Sequence, residues 1–169
     1  AKATADRRSS VLCPLSSVPR HRPLAAVGRA RYSAGMIARY SRPAMREIWT
    51  EQRKLEIWLQ IELLASRALA EAGLIPKKDL AILVSRAGFD VDRCKELEKT
   101  LNPDVIAFTT CVAEHVRHPA SRWLHYGLTS SDVLDTAFAV QMTQSADILI
   151  ADLKELRTAV GRRAREHQF

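Results

Sequence analysis

The sequence lacks most of the signals that announce a common chemistry. Its three cysteines, Cys13, Cys94 and Cys111, lie far apart and form no Cys-x-x-Cys pair. That excludes a disulfide scaffold and the usual zinc-ribbon spacings, and it suits a reducing compartment such as the cytoplasm. Neither GxxxxGK(S/T) nor GxGxxG occurs, so the glycine loops that cradle phosphates in P-loop and Rossmann proteins are missing. HExxH is missing too. No apolar run approaches the roughly 18 residues that suggest a membrane span. There is no internal repeat and no strand-like alternation of useful length.

What is present is a helical pattern on an ordinary globular composition. The chain has 169 residues, 47% hydrophobic and 27% charged, enough for one domain with a real core. The net charge of +7 is unevenly placed. Lys2, Arg7, Arg8, Arg20, Arg22, Arg29 and Arg31 face Asp6 alone in residues 1–35, and the remainder is nearly balanced. A neutral body argues against a nucleic-acid-binding protein. Residues 1–35 show no hydrophobic period and read as a basic, unstructured extension. Three readings of it stay open. An organellar transit peptide is Arg-rich, Ser-rich and poor in acids; an upstream extension from a start codon placed too early looks similar; a nucleic-acid arm is the third.

From Met36 the spacing predicts an all-α fold. Ser41-Arg42-Pro43 is a helix start, and Thr50 caps a second helix. Leu55, Trp58, Leu59, Glu62, Leu63, Ser66, Leu69 and Ala70 follow at threes and fours and mark its buried face. Gly73 and Pro76 end it. Leu80, Leu83 and Val84 indicate a short helix ending near Gly88. Asp90 caps a helix running from Arg93 to Leu101, and Asp104 caps another toward His115. Residues 117–131 read as a loop. Ser130 or Ser131 then caps a long helix with Leu134, Ala137, Phe138, Met142, Ile148, Leu149, Leu153, Leu156 and Val160 as its buried positions. A helix of that length and apolarity belongs to a bundle or an oligomer core.

Few residues stand out as chemistry. His115 and His118 form an H-x-x-H pair, but Pro119 adjoins them and no carboxylate or thiolate sits at ligand spacing, so they read as a solvated helix end rather than a metal site. Three polar clusters carry two readings each. Arg39-Tyr40-Ser41-Arg42-Pro43 is either a phosphate-binding fork and hydroxyl or an ordinary basic cap region. Asn102-Pro103-Asp104 is either a ligand contact or a turn with a helix cap. His125-Tyr126-Gly127-Leu128-Thr129-Ser130-Ser131-Asp132 is either an anion site at a helix N-terminus or a well-capped helix needing no ligand.

Taken together, the clusters resemble one family. Arg39 to Pro43 followed by Ile48-Trp49, and the run from Trp123 to Ala137, closely resemble bacterial adenylosuccinate lyases. Phe89 to Arg93 and Asp104 to Phe108 fit in order and separation. The Gly-Leu-Thr-Ser-Ser-Asp element alone marks the wider fumarase/aspartase superfamily; the Arg-Tyr-Ser-Arg-Pro opening marks this branch, against argininosuccinate lyase and carboxymuconate cycloisomerase. The resemblance covers Met36 to Phe169.

The resemblance implies an N-terminal helical domain at 36–130 and, at 131–169, the first long helix of a fumarase/aspartase-type bundle. It implies a cofactor-free β-elimination that releases fumarate from adenylosuccinate and from succinyl-aminoimidazole-carboxamide ribotide, in a homotetramer with sites shared among subunits. By position, Arg39 and Tyr40 would hold the substrate phosphate. Asn102 and Asp104 would lie near ribose and base. Thr129 and Ser130 would bind a fumaryl carboxylate, with His125 lining the same site. Two departures follow. Pro103 stands where the family has His and offers neither donor nor titratable group. The family's general-acid His, in a Thr-His-Gly segment, and its catalytic Ser are expected beyond Phe169, so the chain is expected to be inactive alone. The other reading is a non-catalytic helical interaction or nucleotide-binding remnant.

Overall fold

The computed structural model describes residues 38–169, and the basic segment 1–35 lies outside the described residues. After a 3-10 turn at Ala38–Tyr40 come six helices: α1 (Pro43–Ile48), α2 (Glu51–Glu71), α3 (Lys77–Arg86), α4 (Val91–Leu101), α5 (Asp104–Val116) and α6 (Ser130–Glu166). Among the described residues there is no strand, so the fold is all-α. No helix among them is long and apolar enough to cross a membrane.

Local chemistry sets most boundaries. The Thr50 hydroxyl accepts the Arg53 N–H at 3.1 Å and opens α2. Gly73, at φ 79°, closes it. The Leu74 N–H reaches Leu69 O at 2.9 Å and the Gly73 N–H reaches Ala70 O at 3.1 Å, the paired bonds of a Schellman ending. The Asp90 carboxylate accepts the Arg93 N–H at 2.7 Å and opens α4.

Two expected caps move by one residue. Pro103, not Asp104, is the N-cap of α5. Asp104 already lies inside the first turn, and its carboxylate accepts the adjacent Val105 N–H at 2.7 Å. Thr129, not Ser130 or Ser131, is the N-cap of α6. Thr129 is the residue from which Asp132 stands three positions on, the spacing of a capping box. Residues 119–123, read as loop, form a 3-10 turn whose first free N–H, on Ala120, donates to His118 Nδ1 at 3.1 Å.

The core lies among α2, α4, α5 and the start of α6. Trp58 meets Phe108 edge-on with ring centroids 5.5 Å apart, and Phe89 meets Phe108 at 5.7 Å. Leu55, Leu83, Val105, Val112, Val116, Val133 and Ala137 close around them. Each such burial contributes about 1.5–3 kcal/mol for a large side chain. Cys94 and Cys111 are buried free thiols in the same core. Burial and the hydrogen bond to Cys111 push the Cys94 thiol up to about 12.

The long helix departs from expectation. At 37 residues it is about 55 Å long. Only Val133, Ala137 and Gln141 are buried. Leu134 and Ile148 are half-buried, while Phe138, Met142, Leu149, Leu153, Leu156 and Val160 are exposed. The apolar stripe exists, but α1 and α2 cover only part of its length. The α1 contacts are specific. The Gln141 amide donates to Ile48 O at 2.6 Å, and the Trp49 indole N–H donates to the Ser145 hydroxyl at 3.1 Å. Arg42 pairs with Asp152.

Candidate functional site

The site builds up from the loop that joins α5 to α6. Two buried carboxylates hold this loop. Asp79 on α3 accepts the Trp123 indole N–H at 2.9 Å, with Arg122 at 3.7 Å from the same oxygen. Glu62 on α2, only 1% exposed, accepts the His125 main-chain N–H at 2.7 Å and lies 2.7 Å from His125 Nδ1. A buried acid without partners would be strongly destabilising, so these bonds fix the loop as much as they satisfy the acids. The loop turns through positive φ at His125 (59°) and Gly127 (76°). For His125 that conformation is uncommon, and the carboxylate bonding both its main chain and its ring holds it there. Gly127 adopts it freely.

Past the turn, α6 begins with a dense set of donors. In its first turn the Asp132 N–H donates to Thr129 O at 3.1 Å, while those of Ser130 and Ser131 have no acceptor within the helix. The helix dipole adds a partial positive charge there. The Asp132 carboxylate meets the dipole and folds back onto the N-cap residue. It accepts the Thr129 N–H at 2.8 Å and the Thr129 hydroxyl at 3.0 Å through one oxygen. Those two bonds, with a smaller contribution from nearby His125, hold the Asp132 carboxyl below the usual carboxylate range. A bound anion would share the Ser130 end with this resident carboxylate. His125, Thr129, Ser130 and Asp132 therefore form one cluster.

The other candidate residues lie apart from it. Asn102 ends α4 at φ 63° and ψ −54°, a conformation that costs of order 1–3 kcal/mol. Pro103 follows at φ −71°, which its ring favours. Asn102 and Pro103 are exposed, and Asp104 is half-buried. The core ties this corner and the loop to one helix. Trp58, one turn before Glu62 on α2, packs on Phe108, one turn after Asp104 on α5.

Arg39 and Tyr40 are placed farther away. The Arg39 guanidinium lies over the Tyr40 ring at 4.8 Å from its centroid, and Tyr40 is 75% exposed. Arg42, three residues on, is anchored at Asp152. Asp152 lies about 34 Å along α6 from Thr129, at 1.5 Å per residue. From Arg42, α1 leads back along α6 to Gln141, and Arg39 and Tyr40 lie within three residues of the Arg42 anchor. Within this chain the Arg39-Tyr40 pair and the Thr129-Ser130 pair are not brought together.

His115 and His118 are engaged locally. His115 Nδ1 lies 2.9 Å from Cys111 O, and His118 caps the 3-10 turn.

A sequence profile for the family described as Lyase matches residues 38–169, the whole span the structure describes. This chain belongs to the lyase family of the fumarase/aspartase superfamily. Among its relatives are adenylosuccinate lyases from Bacillus subtilis (strain 168) and from Streptococcus mutans serotype c, each 44% identical over 134 residues. Another, from Synechocystis sp., is 43% identical over 134 residues. Each match covers 79% of this chain and 31% of the relative. The lyase chain thus spans about a third of the length of those relatives. Solved structures agree on the fold. A fumarate lyase from Mesorhizobium sp. BNC1 matches with a TM-score of 0.68 at 23% identity, over 73% of this chain and 30% of that one. The 3-carboxy-cis,cis-muconate lactonizing enzyme from Pseudomonas putida matches at 0.68 and 28% identity, over 76% and 30%.

The sequence did not single out Glu62 or Asp79 as site residues. Glu62 did carry a signal. It is an acid on the buried face of α2, four residues after Trp58, and buried acids require partners. The partner lies 63 residues away in sequence and leaves no local trace.

Proposed function

We propose that this lyase chain supplies substrate-binding groups of an adenylosuccinate lyase, a carbon–nitrogen lyase of purine biosynthesis. The reaction is a β-elimination. A base removes a proton beside a carboxylate, an acid protonates the leaving nitrogen, and fumarate departs from adenylosuccinate or from succinyl-aminoimidazole-carboxamide ribotide. The observation that carries the reading is the start of α6, where Thr129 and Ser130 stand at a helix N-terminus four and five residues after a His125 fixed by Glu62. Such a site stabilises charge building on a carboxylate during proton removal. Arg39 and Tyr40 take the phosphate, and Asn102 and Asp104 face ribose and base. No cofactor takes part.

The separation of the two binding pairs shapes the proposal. One substrate molecule is far shorter than the distance between them. Each pair therefore belongs to a different site, and a complete site draws on more than one copy of the chain, as in a homotetramer. Residues 36–130 are the N-terminal domain of that assembly, and 131–169 its first bundle helix. The apolar stripe of α6 is the surface on which copies and bundle helices meet. In the family a Thr-His-Gly segment and a separate catalytic Ser supply acid and base, and the 169 residues contain no Thr-His-Gly segment.

The test is fumarate release from adenylosuccinate by the purified 169-residue chain. No release is expected. Release at a measurable rate would overturn the assignment of acid and base outside these residues. Pro103 favours a second reading, a binding remnant without catalysis. In an assembled enzyme carrying this segment, Pro103→His is expected to raise turnover; unchanged turnover would show that Pro103 does not impair substrate handling and would remove it as a ground for the remnant.

A further inference from the structure

The contact between Glu62 and His125 decides which nitrogen of that imidazole is available to a ligand. Both Glu62 oxygens are occupied, Oε2 by the His125 main-chain N–H and Oε1 by the Nδ1 edge, each at 2.7 Å. A main-chain N–H can only donate. An ionised carboxylate can only accept. The Nδ1 edge must therefore carry hydrogen, which leaves the lone pair of a neutral imidazole on Nε2. Among the described residues Nε2 has no hydrogen-bond partner.

We propose that Glu62 is the positioning residue of this site: it locks His125 in the Nδ1–H tautomer and so makes Nε2 a hydrogen-bond acceptor for a ligand held at the start of α6. The inference rests on the reading of that helix start as a substrate site, and it adds the polarity of the group the ligand must present. Where Thr129 and Ser130 take a carboxylate, His125 takes a donor. A ligand with an N–H or O–H beside a carboxylate satisfies both. A bare carboxylate meets a lone pair at Nε2. Glu62 does this from a buried position, without touching the ligand. It also stabilises the uncommon positive φ of His125 through the main-chain bond, so orientation and tautomer have one cause.

Glu62→Gln separates this role from a merely structural one. The amide has nearly the same shape but one acceptor and one donor end. The main-chain N–H of His125 claims the amide oxygen. The amide NH2 then faces Nδ1, which must become the acceptor, and the ring hydrogen moves to Nε2. The readout is the pair of imidazole 15N shifts of His125 in the 169-residue chain. The spectra are recorded at about pH 8.5, above the ordinary histidine range near 6.5, with the signals assigned through His125→Gln. The wild type is expected to show a protonated-type Nδ1 and a lone-pair-type Nε2, and E62Q the reverse.

A wild type with hydrogen on Nε2, tautomer-averaged shifts in the wild type, or an E62Q spectrum like the wild type would each overturn the proposal. Should E62Q fail to fold, the wild-type spectrum still decides the tautomer. Glu62→Asp, too short to reach both partners, is then expected to give averaged shifts, and a retained single tautomer there would count against the proposal. The measurement does not depend on turnover. Failure to release fumarate leaves these shifts unchanged, whereas the wrong tautomer removes this inference alone.

Discussion

From Ser130 to Gln141, α6 buries Val133, Ala137 and Gln141; from Met142 to Glu166, beside the Trp49–Ser145 and Arg42–Asp152 contacts, the same helix carries Leu149, Leu153, Leu156 and Val160 in the open. The two halves have similar apolar spacing. What differs is whether this chain supplies a partner. Hydrophobic period thus reports that a face is made to be covered, and leaves unsaid which molecule covers it.

The sharpest way to break the comparison is a pair of truncations. Phe108→Ala, in the packed core, is expected to cost about 3–5 kcal/mol. Leu153→Ala, at a site 63% exposed, is expected to stay within about 0.5 kcal/mol when the chain is monomeric. Denaturant unfolding at low protein concentration compares them, and equal losses would show the far half already buried. Next comes the loop anchor. Glu62→Ala strands the His125 N–H and ring beneath the loop, for an expected loss of about 2–3 kcal/mol by the same measurement. Thr129→Ala, at the cap of the near half, is expected to cost about 1 kcal/mol.

The smallest effect is acid sensitivity. Asp132 is held below its free value of 3.8 by Thr129, and Glu114 below 4.5 by Arg93. The Arg93 bonds to Glu114 are 3.0 and 2.8 Å long. Each folded-state value is depressed. The stability they add is therefore present above the unfolded values and lost as pH falls through the lower folded ones. Asp132→Asn is expected to flatten melting temperature against pH below about 4, where these carboxyls ordinarily titrate. An unchanged slope would remove Asp132 from the account.

Most of the fold was legible because short-range chemistry determines it. Thr50, Gly73 and Asp90 each satisfy backbone groups within four residues, and a reader of sequence can see both partners. The one-residue errors at Asp104 and Ser130 arise where several residues can serve as cap. Asp132 decides the second case, because only Thr129 stands three residues before it. The candidate site was half legible. Thr129 and Ser130 carry two readings through helix chemistry alone, an anion site or a well-capped helix. That Glu62 would reach His125 from a different helix depends on how α2 packs, which no local pattern states. That Arg42 would anchor at Asp152, carrying Arg39 and Tyr40 to the far half of α6, is equally invisible from spacing.

The proposal that Arg39-Tyr40 and Thr129-Ser130 of one chain serve different sites rests on the anchoring of Arg42 at Asp152. A spin-label distance tests it most directly, between Tyr40→Cys and Ser131→Cys in a chain also carrying Cys13→Ser. Buried Cys94 and Cys111 stay unlabelled. Diluted with excess unlabelled chain, the pair is expected to show a single distance of about 30 Å or more, set by the rise of α6. Undiluted, it is expected to gain a shorter distance between copies. A distance under about 20 Å in the diluted sample, well short of that rise, would place both pairs at one site within one chain and contradict the account.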